Sequence, residues 1–478
     1  MQIVPIPANT DAAAAPNAEH TVYVWAIALV AAMGGLLFGY DWVVIGGARE
    51  FYETYFHLSS VQLIGWANSC ALVGCFIGSF LAGYAGDRFG RKRVLLISAI
   101  LFALSSGLTG WSYSFTAFII WRIVGGIAIG LSSNISPLYI AEISPASIRG
   151  RLVSLNQFAI VVGILLAQIV NWQIARPIPD HLSHIALLQT WNVQYGWRWM
   201  FSAVVVPATI FTLMSLLIPE SPRWLLTKGR DDSAFNVLNR VGGNSYALSE
   251  VANIKRTLQL EAGLDAPWRN LLLRGIRKIV LIGAALAVLQ QWTGINILFN
   301  YAAEVYRSAG YGENDILLNI VITGAINLIF TILAMLIVDR VGRRPMMLFG
   351  CIGIAVSHLL SGLAYHAGWH GSAVLVLTLS AIACYALTLA PVTWVLISEI
   401  FPNRVRSQAV SVAVSALWIA SFALTYTFPL INHALGNSGT FWGYSAISLL
   451  GSVFIYLFVP ETKGRTLEEI EARLLSTS

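Results

Sequence analysis

Charge is what this sequence has least of. Only 11% of its 478 residues are Asp, Glu, Lys or Arg, against about 25% in soluble globular domains. So little charge excludes a surface solvated over most of the chain. Cysteine is scarce as well. Cys70, Cys75, Cys351 and Cys384 all lie in apolar stretches, where they read as small buried side chains rather than a disulfide framework or a metal site. Residues 1–20 contain no Lys or Arg. A secretory signal begins on a basic segment, so this stretch reads as a short disordered tail. No metal-ligand cluster, nucleophile triad or phosphate-binding loop occurs in any polar segment, so neither an enzyme nor a bound cofactor is expected.

What is abundant is apolar length. Twelve runs are each long enough to cross a bilayer: 23–48, 62–86, 94–113, 116–140, 152–173, 198–218, 277–303, 314–338, 346–366, 372–398, 408–432 and 441–459. An even number places both termini on one side. Of the 29 Lys and Arg residues, 24 fall in the tail, the loops and the span ends on that side, eight of them between spans 6 and 7 and two more, Arg277 and Lys278, at the start of span 7. Basic residues favour the cytoplasmic face. Both termini are therefore expected in the cytoplasm of a cell whose inner or plasma membrane holds the chain. The net charge of +6 then reflects topology and contact with lipid, and nucleic-acid binding is not expected.

An internal repeat divides the chain. "DRFGRKR" (87–93) returns as "DRVGRRP" (339–345), "AEISPASIRG" (141–150) as "SEIFPNRVRS" (398–407), and "PESPRW" after span 6 as "PETKGR" after span 12. The order is kept, and the shifts are 252, 257 and 241 residues. Two halves in the same membrane orientation follow, a plan found in one large class of transporters. The fold class expected is an all-α membrane protein of twelve transmembrane helices. Residues 21–218 and 277–459 form the two parallel six-helix halves. A cytoplasmic helical linker spans 219–276, and the tails are 1–20 and 460–478. In the linker, Asp231 to Gly243 and Ser249 to Gly263 carry start and stop signals of short amphipathic helices. "TLEE" (466–469) is a capping box for a last short helix.

Several motifs together resemble the sugar porter family of the major facilitator superfamily: "GYAGDRFGRKR", "YIAEISPASIRG", "NQFAIVVG", "PESPRWLL", "QQWTGIN", "PVTWVLISEIFP" and "PETKGRTLEE". With "GYD" in span 1, the pattern is most similar to the bacterial xylose/proton symporters. The resemblance implies a monosaccharide held mid-membrane between the halves by amides, here Gln157, Gln290, Gln291, Asn296 and Asn327. Amides both donate and accept, as sugar hydroxyls do. Phe38, Trp394 and Trp418 match the family's aromatic positions. Asn300 stands where the family has a tyrosine, and Leu417 and Ser421 replace two of its amides. A lone amide in a span more often bonds a neighbouring helix; five at matched positions favour a site. Gln290, Gln291 and Asn296 cannot share one face of a straight helix. A helix loosened at Gly294 turns all three toward one cavity, and Pro391 interrupts span 10 just before Trp394.

Two charges stand inside apolar runs. Asp41 in span 1 and Arg122 in span 4 each lie roughly 8–9 Å from the span centre on the outer side, counted at about 1.5 Å per residue. Opposite charges at one depth pair, because a lone charge in the membrane is costly. Beside Arg122, Asp41 is held ionised; moved away in a dry setting, it takes a proton. The resemblance assigns this pair proton coupling. One departure bears on it: Val204 stands where the xylose/proton symporters carry a glutamate. Glu142, Arg149, Glu399 and Arg406, with Asp87, Arg91, Asp339 and Arg343, match the family's cytoplasmic charge motifs and read as a gate of weak ion pairs. The function expected is monosaccharide uptake by proton symport, with sugar, proton and lipid as partners and a monomer as the unit. The alternatives are a facilitative uniporter and a non-transporting membrane sugar sensor.

Overall fold

A computed structural model describes residues 18–179, 184–262, 271, 273–401 and 405–463. Every regular element among them is helical. This follows from the apolar runs, since a segment in hydrocarbon must satisfy its own backbone N–H and C=O groups. Spans 1 to 5 are Ala18–Tyr55, Val61–Phe89, Arg91–Gly110, Phe115–Ile143 and Arg149–Ile174. Span 6 is segmented into a π-helical turn, Asn192–Gly196, and two α-helices, Trp197–Ser202 and Val205–Leu217. Span 7 is Arg274–Trp292, Ile297–Asn300 and Ala302–Ser308; span 8 is Glu313–Val341 and span 9 is Arg343–His366. Span 10 is Ser372–Leu387 and Leu389–Ile400.

Spans 11 and 12 share one hydrogen-bonded run, Arg406–Phe458, kinked at Gly436 (φ 66°, ψ 175°). Straight, its 53 residues would reach about 80 Å, far beyond a bilayer core of about 30 Å. The kink makes two crossings of it, and the total is twelve.

The linker helices are Pro222–Thr227, Asp231–Gly242 and Asn244–Ala262. The second ends where Gly243 takes φ 85°, as its glycine pair predicts. The third begins at Asn244, five residues before the expected Ser249, because that same glycine turn serves both helices. Span 1 starts five residues earlier than expected, at Ala18. The remainder of the N-terminal tail, and "TLEE" with the rest of the C-terminal tail from 464, lie outside the described residues. His20, at the start of span 1, lies 2.9 Å from the carbonyl of Arg240 in the linker. The N-terminus and the linker thus share one end of the bundle, called here the linker end.

Within the N-terminal half, span 1 packs on span 5 and span 2 on span 4; spans 2 and 11, and spans 5 and 8, meet across the halves. Small residues permit the closest crossings, as is common where lipid gives no hydrophobic drive. A Cβ added at Gly74 would lie 2.0 Å from the carbonyl of Ile123, and one at Gly126 would lie 1.9 Å from that of Ala71. The repeat is visible in three dimensions. Gly90 and Gly342 open spans 3 and 9 with nearly equal angles, φ 97° and 107°. Glu220 accepts from the Lys92 amide, and Glu461 accepts from the Arg343 and Arg344 amides, so each half caps its own helix start.

Gly126→Val should force spans 2 and 4 apart at a cost of at least about 1–3 kcal/mol and lower the thermal midpoint in detergent by several degrees. Gly83→Val in span 2, where nothing lies within 4 Å of an added Cβ, should leave it unchanged. Equal midpoints would contradict the close-crossing account.

Candidate functional site

Span 7 is interrupted where its sequence reads "QQWTGIN". Gly294 has φ +83°, and a turn separates Trp292 from Ile297. The three amides flanking this turn form a chain. Gln290 Nε2 donates to the carbonyls of Leu389 and Ala390 at 3.2 and 3.3 Å. Gln291 Nε2 reaches Gln290 Oε1 at 3.4 Å, and Asn296 donates to Gln291. The partners on span 10 lie just past its own interruption at Thr388 (φ −130°, ψ −84°), immediately before Pro391. Two broken helices therefore face each other, and Gln290 bridges them.

The aromatic positions divide. Phe38 and Trp418 meet across the halves with ring centres 6.1 Å apart, and Trp42 joins both at 5.9 Å. Trp418 also donates from its indole to Ser79 of span 2 at 2.8 Å. Trp394 stands apart, 37% exposed, one turn beyond Pro391. Asn300 and Asn327 are buried, and the Oδ1 of Asn300 has no hydrogen-bond partner. Gln157 is half-buried on span 5. None of these three amides bonds to the span 7 chain.

Asp41 and Arg122 lie together, 2% and 4% exposed. One guanidinium nitrogen, Nη1, donates to both carboxylate oxygens, at 3.1 and 3.0 Å. The guanidinium lies 5.3 Å from the ring centre of Phe201 in span 6. Its Nε has no hydrogen-bond partner. Val204 is fully buried three residues past Phe201. Among the described residues, no second carboxylate comes within salt-bridge distance of Arg122.

At the linker end, Arg91 bonds Asp87 at 3.0 Å and Glu142 at 3.1 Å. Arg343 bonds Glu399 at 3.3 Å. Ser221 donates to Glu142, and Thr462 donates to Glu399, in the same repeated pattern. Arg149 donates to the carbonyl of Ser144 at 3.4 Å, a backbone rather than a carboxylate partner. The side chains of Asp339 and Arg406 lie outside the described residues. Each ion pair found here joins helices of one half.

The opposite end differs. Arg49, 8% exposed, bonds Glu53 at 2.6 Å and Glu304 at 2.7 Å and stacks 4.4 Å over Tyr301. Asn68 donates to Glu53, and Asn432 donates to Glu304 at 2.8 Å. Glu50 pairs with Arg307. Span 1 of one half is thus bound to span 7 of the other. A cavity of about 110 Å³ beside this cluster is lined by Glu50, Trp172, Arg176 and Asn192. Sequence reading credits Arg122 as the one basic residue deep in a span. Arg49 and Arg198 are buried too, and Arg198 donates to the carbonyls of Gly110 and Ser112. The signal for Arg49 was its i, i+4 spacing to Glu53 at the outer end of an apolar run.

A family model described as "Sugar (and other) transporter" matches residues 27–474. This chain is a sugar porter of the major facilitator superfamily. The porter is 40% identical to the D-xylose-proton symporter of Escherichia coli strain K12, over 95% of this chain and 96% of that one. It is 35% identical to the arabinose-proton symporter of Bacillus subtilis strain 168, over 97% and 98%. Its fold matches the solved structure of the xylose transporter from E. coli in a partially occluded inward-open conformation, with a TM-score of 0.82 and 38% identity over 93% of this chain and 100% of that one.

The porter's far-end cluster gives a direct test. Arg49→Ala leaves two partly buried carboxylates without their cation, a change that costs about 3–5 kcal/mol in buried pairs. A single cysteine placed at Ala303, in the cleft between spans 1 and 7, should then react with a membrane-impermeant maleimide at least tenfold faster than with Arg49 intact. An unchanged rate would mean that the cluster does not hold this end closed.

Proposed function

We propose that this sugar porter takes up a neutral pentose or hexose together with a proton by alternating access. The observation that carries the proposal is the Asp41–Arg122 pair, sealed from solvent in the same half, and on the same helix, as Phe38. Two sequence-similar relatives named as sugar-proton symporters support it. Gln157, Gln290, Gln291, Asn296, Asn300 and Asn327 hold the hydroxyls, and Phe38, Trp394 and Trp418 cover the apolar ring faces. The linker end, with its basic loops, is cytoplasmic, so 219–276 is a cytoplasmic linker between the halves 21–218 and 277–459. The porter works as a monomer in the cell membrane, and lipid surrounds its exposed apolar faces.

The conformation fits a state closed to the outside. Arg49, Glu53 and Glu304 bind the halves together there. At the linker end the ion pairs of Arg91 with Asp87 and Glu142, and of Arg343 with Glu399, lie within one half each. In the opposite state Asp87, Arg91, Glu142, Arg149, Asp339, Arg343, Glu399 and Arg406 form the inner gate.

Asp41 exchanges its proton as it is drawn toward and away from Arg122. An opposite charge at close range favours the charged form of a carboxylate, and a dry setting without one favours the neutral form. Proton binding then biases the equilibrium between the two states. One proton per cycle supplies about 2.3 kcal/mol per 100 mV of membrane potential, equal to roughly a fifty-fold gradient of sugar.

A facilitative uniporter on the same scaffold is the second reading. Among the described residues, Asp41 is the one carboxylate within salt-bridge distance of Arg122, and this favours it. Reconstituted porter separates the two. Asp41→Asn should abolish accumulation of sugar against a gradient while sparing sugar–sugar exchange. Accumulation that survives the substitution sinks symport through Asp41, and a competition panel of unlabelled pentoses and hexoses identifies the sugar.

A further inference from the structure

Interrupting a membrane helix leaves carbonyls without their usual donors, and an unsatisfied backbone group in a dry interior costs several kcal/mol. In span 7, Gly294 leaves the helix, and the chain's next turn begins at its own carbonyl, which accepts from Ile297 at 3.1 Å. The carbonyl before it, on Thr293, is met from another helix. His358 of span 9 places Nε2 2.9 Å from it. A carbonyl only accepts, so Nε2 carries the hydrogen.

His358 is 1% exposed and packs against two rings of span 12. Its ring centre lies 5.4 Å from that of Phe441 and 6.1 Å from that of Tyr444. Tyr444 is also the residue a Cβ on Gly294 would strike, at 2.6 Å. Ser445 donates to the carbonyl of Ala355 at 2.7 Å, which ties span 12 to span 9 one turn before the histidine. The back of the interruption therefore rests on a rigid support with one directional polar contact. Its front carries Gln290, Gln291 and Asn296.

We infer that His358 is a positioning residue for the sugar site: through the Thr293 carbonyl it fixes the span 7 turn, and through that turn the three amides. A hydrogen bond suits the task because it fixes a direction, which apolar packing does not. The inference rests on the reading that these amides hold the sugar.

The test uses full-length porter in detergent. Sugar binding is read by intrinsic tryptophan fluorescence with D-xylose and D-glucose as probes, and thermal midpoints are recorded in parallel. His358→Phe keeps a ring between Phe441 and Tyr444 but removes the donor. His358→Leu does the same with a smaller side chain, should Phe fail to fold. His358→Gln returns an amide donor near the place of Nε2. The expected result is an apparent Kd raised about tenfold in Phe or Leu, the size that follows from orphaning one buried acceptor, and recovery to within about threefold in Gln. A merely structural role would lower the midpoint of all three and show no recovery specific to the donor. Asn296→Ala serves as reference. If Asn296→Ala binds sugar as the wild type does, the amide reading fails and this inference falls with it. If Asn296→Ala loses binding while His358→Leu and His358→Phe keep it, or if Gln is as impaired as they are, the inference about His358 alone is overturned.

Discussion

The cost of placing charge and bare backbone in hydrocarbon shapes this porter throughout. Its sharpest expression is Asp41 held 3.0 Å from Arg122 by a single guanidinium nitrogen. Neither partner is tolerable alone at that depth. Removing one leaves the other uncompensated, while separating them invites a proton. A contact with these properties is stable in one arrangement of the helices and chemically different in another, which is what coupling to a proton gradient needs. The helices around it are placed to keep water out and the distance short: Phe201 covers the guanidinium, and spans 2 and 4 cross closely at Gly74 and Gly126.

The same cost organises the region proposed to hold the sugar. Spans 7 and 10 are broken, and the released groups are met locally. Gln290 satisfies carbonyls at the span 10 break, and His358 satisfies the one at Thr293. The polar chain along the break is self-sufficient without sugar, and its amides carry further donor and acceptor capacity for hydroxyls. The two ends of the bundle differ in the same terms. At one, Arg49 and two carboxylates join the halves; at the other, Arg91 and Arg343 bond within their own half. In the proposed cycle, polar contacts of this kind are weak enough for each end to open in turn.

Much of this was legible in the sequence, for definite reasons. Asp41 and Arg122 stood out because a charge inside an apolar run has few explanations, and helix rise alone set them at one depth. The break in span 7 was legible because three amides around "TG" cannot share a helical face. The twelve crossings followed from run length. Arg49 was not legible as a cross-half contact: it sits at the end of a run, where a charge is ordinarily interfacial, and Glu304 is 255 residues away. His358 was hidden for a different reason. Its partner is a backbone carbonyl, and no residue type marks a carbonyl. The third linker helix began early because one glycine turn ended its neighbour and started it at once, which outweighed the serine signal five residues on.

The central claim is that sugar moves with a proton carried by Asp41. Charge movement tests it most directly. Porter reconstituted in liposomes on a sensor membrane, at zero imposed gradient, should give a transient positive current into the liposome on a jump in sugar concentration, accompanied by a rise in external pH. The same jump on the Asp41→Asn protein should give neither, although sugar still exchanges. A sugar-driven current and pH change that persist in Asp41→Asn, or sugar entry into wild-type liposomes with no charge movement at all, would contradict the account.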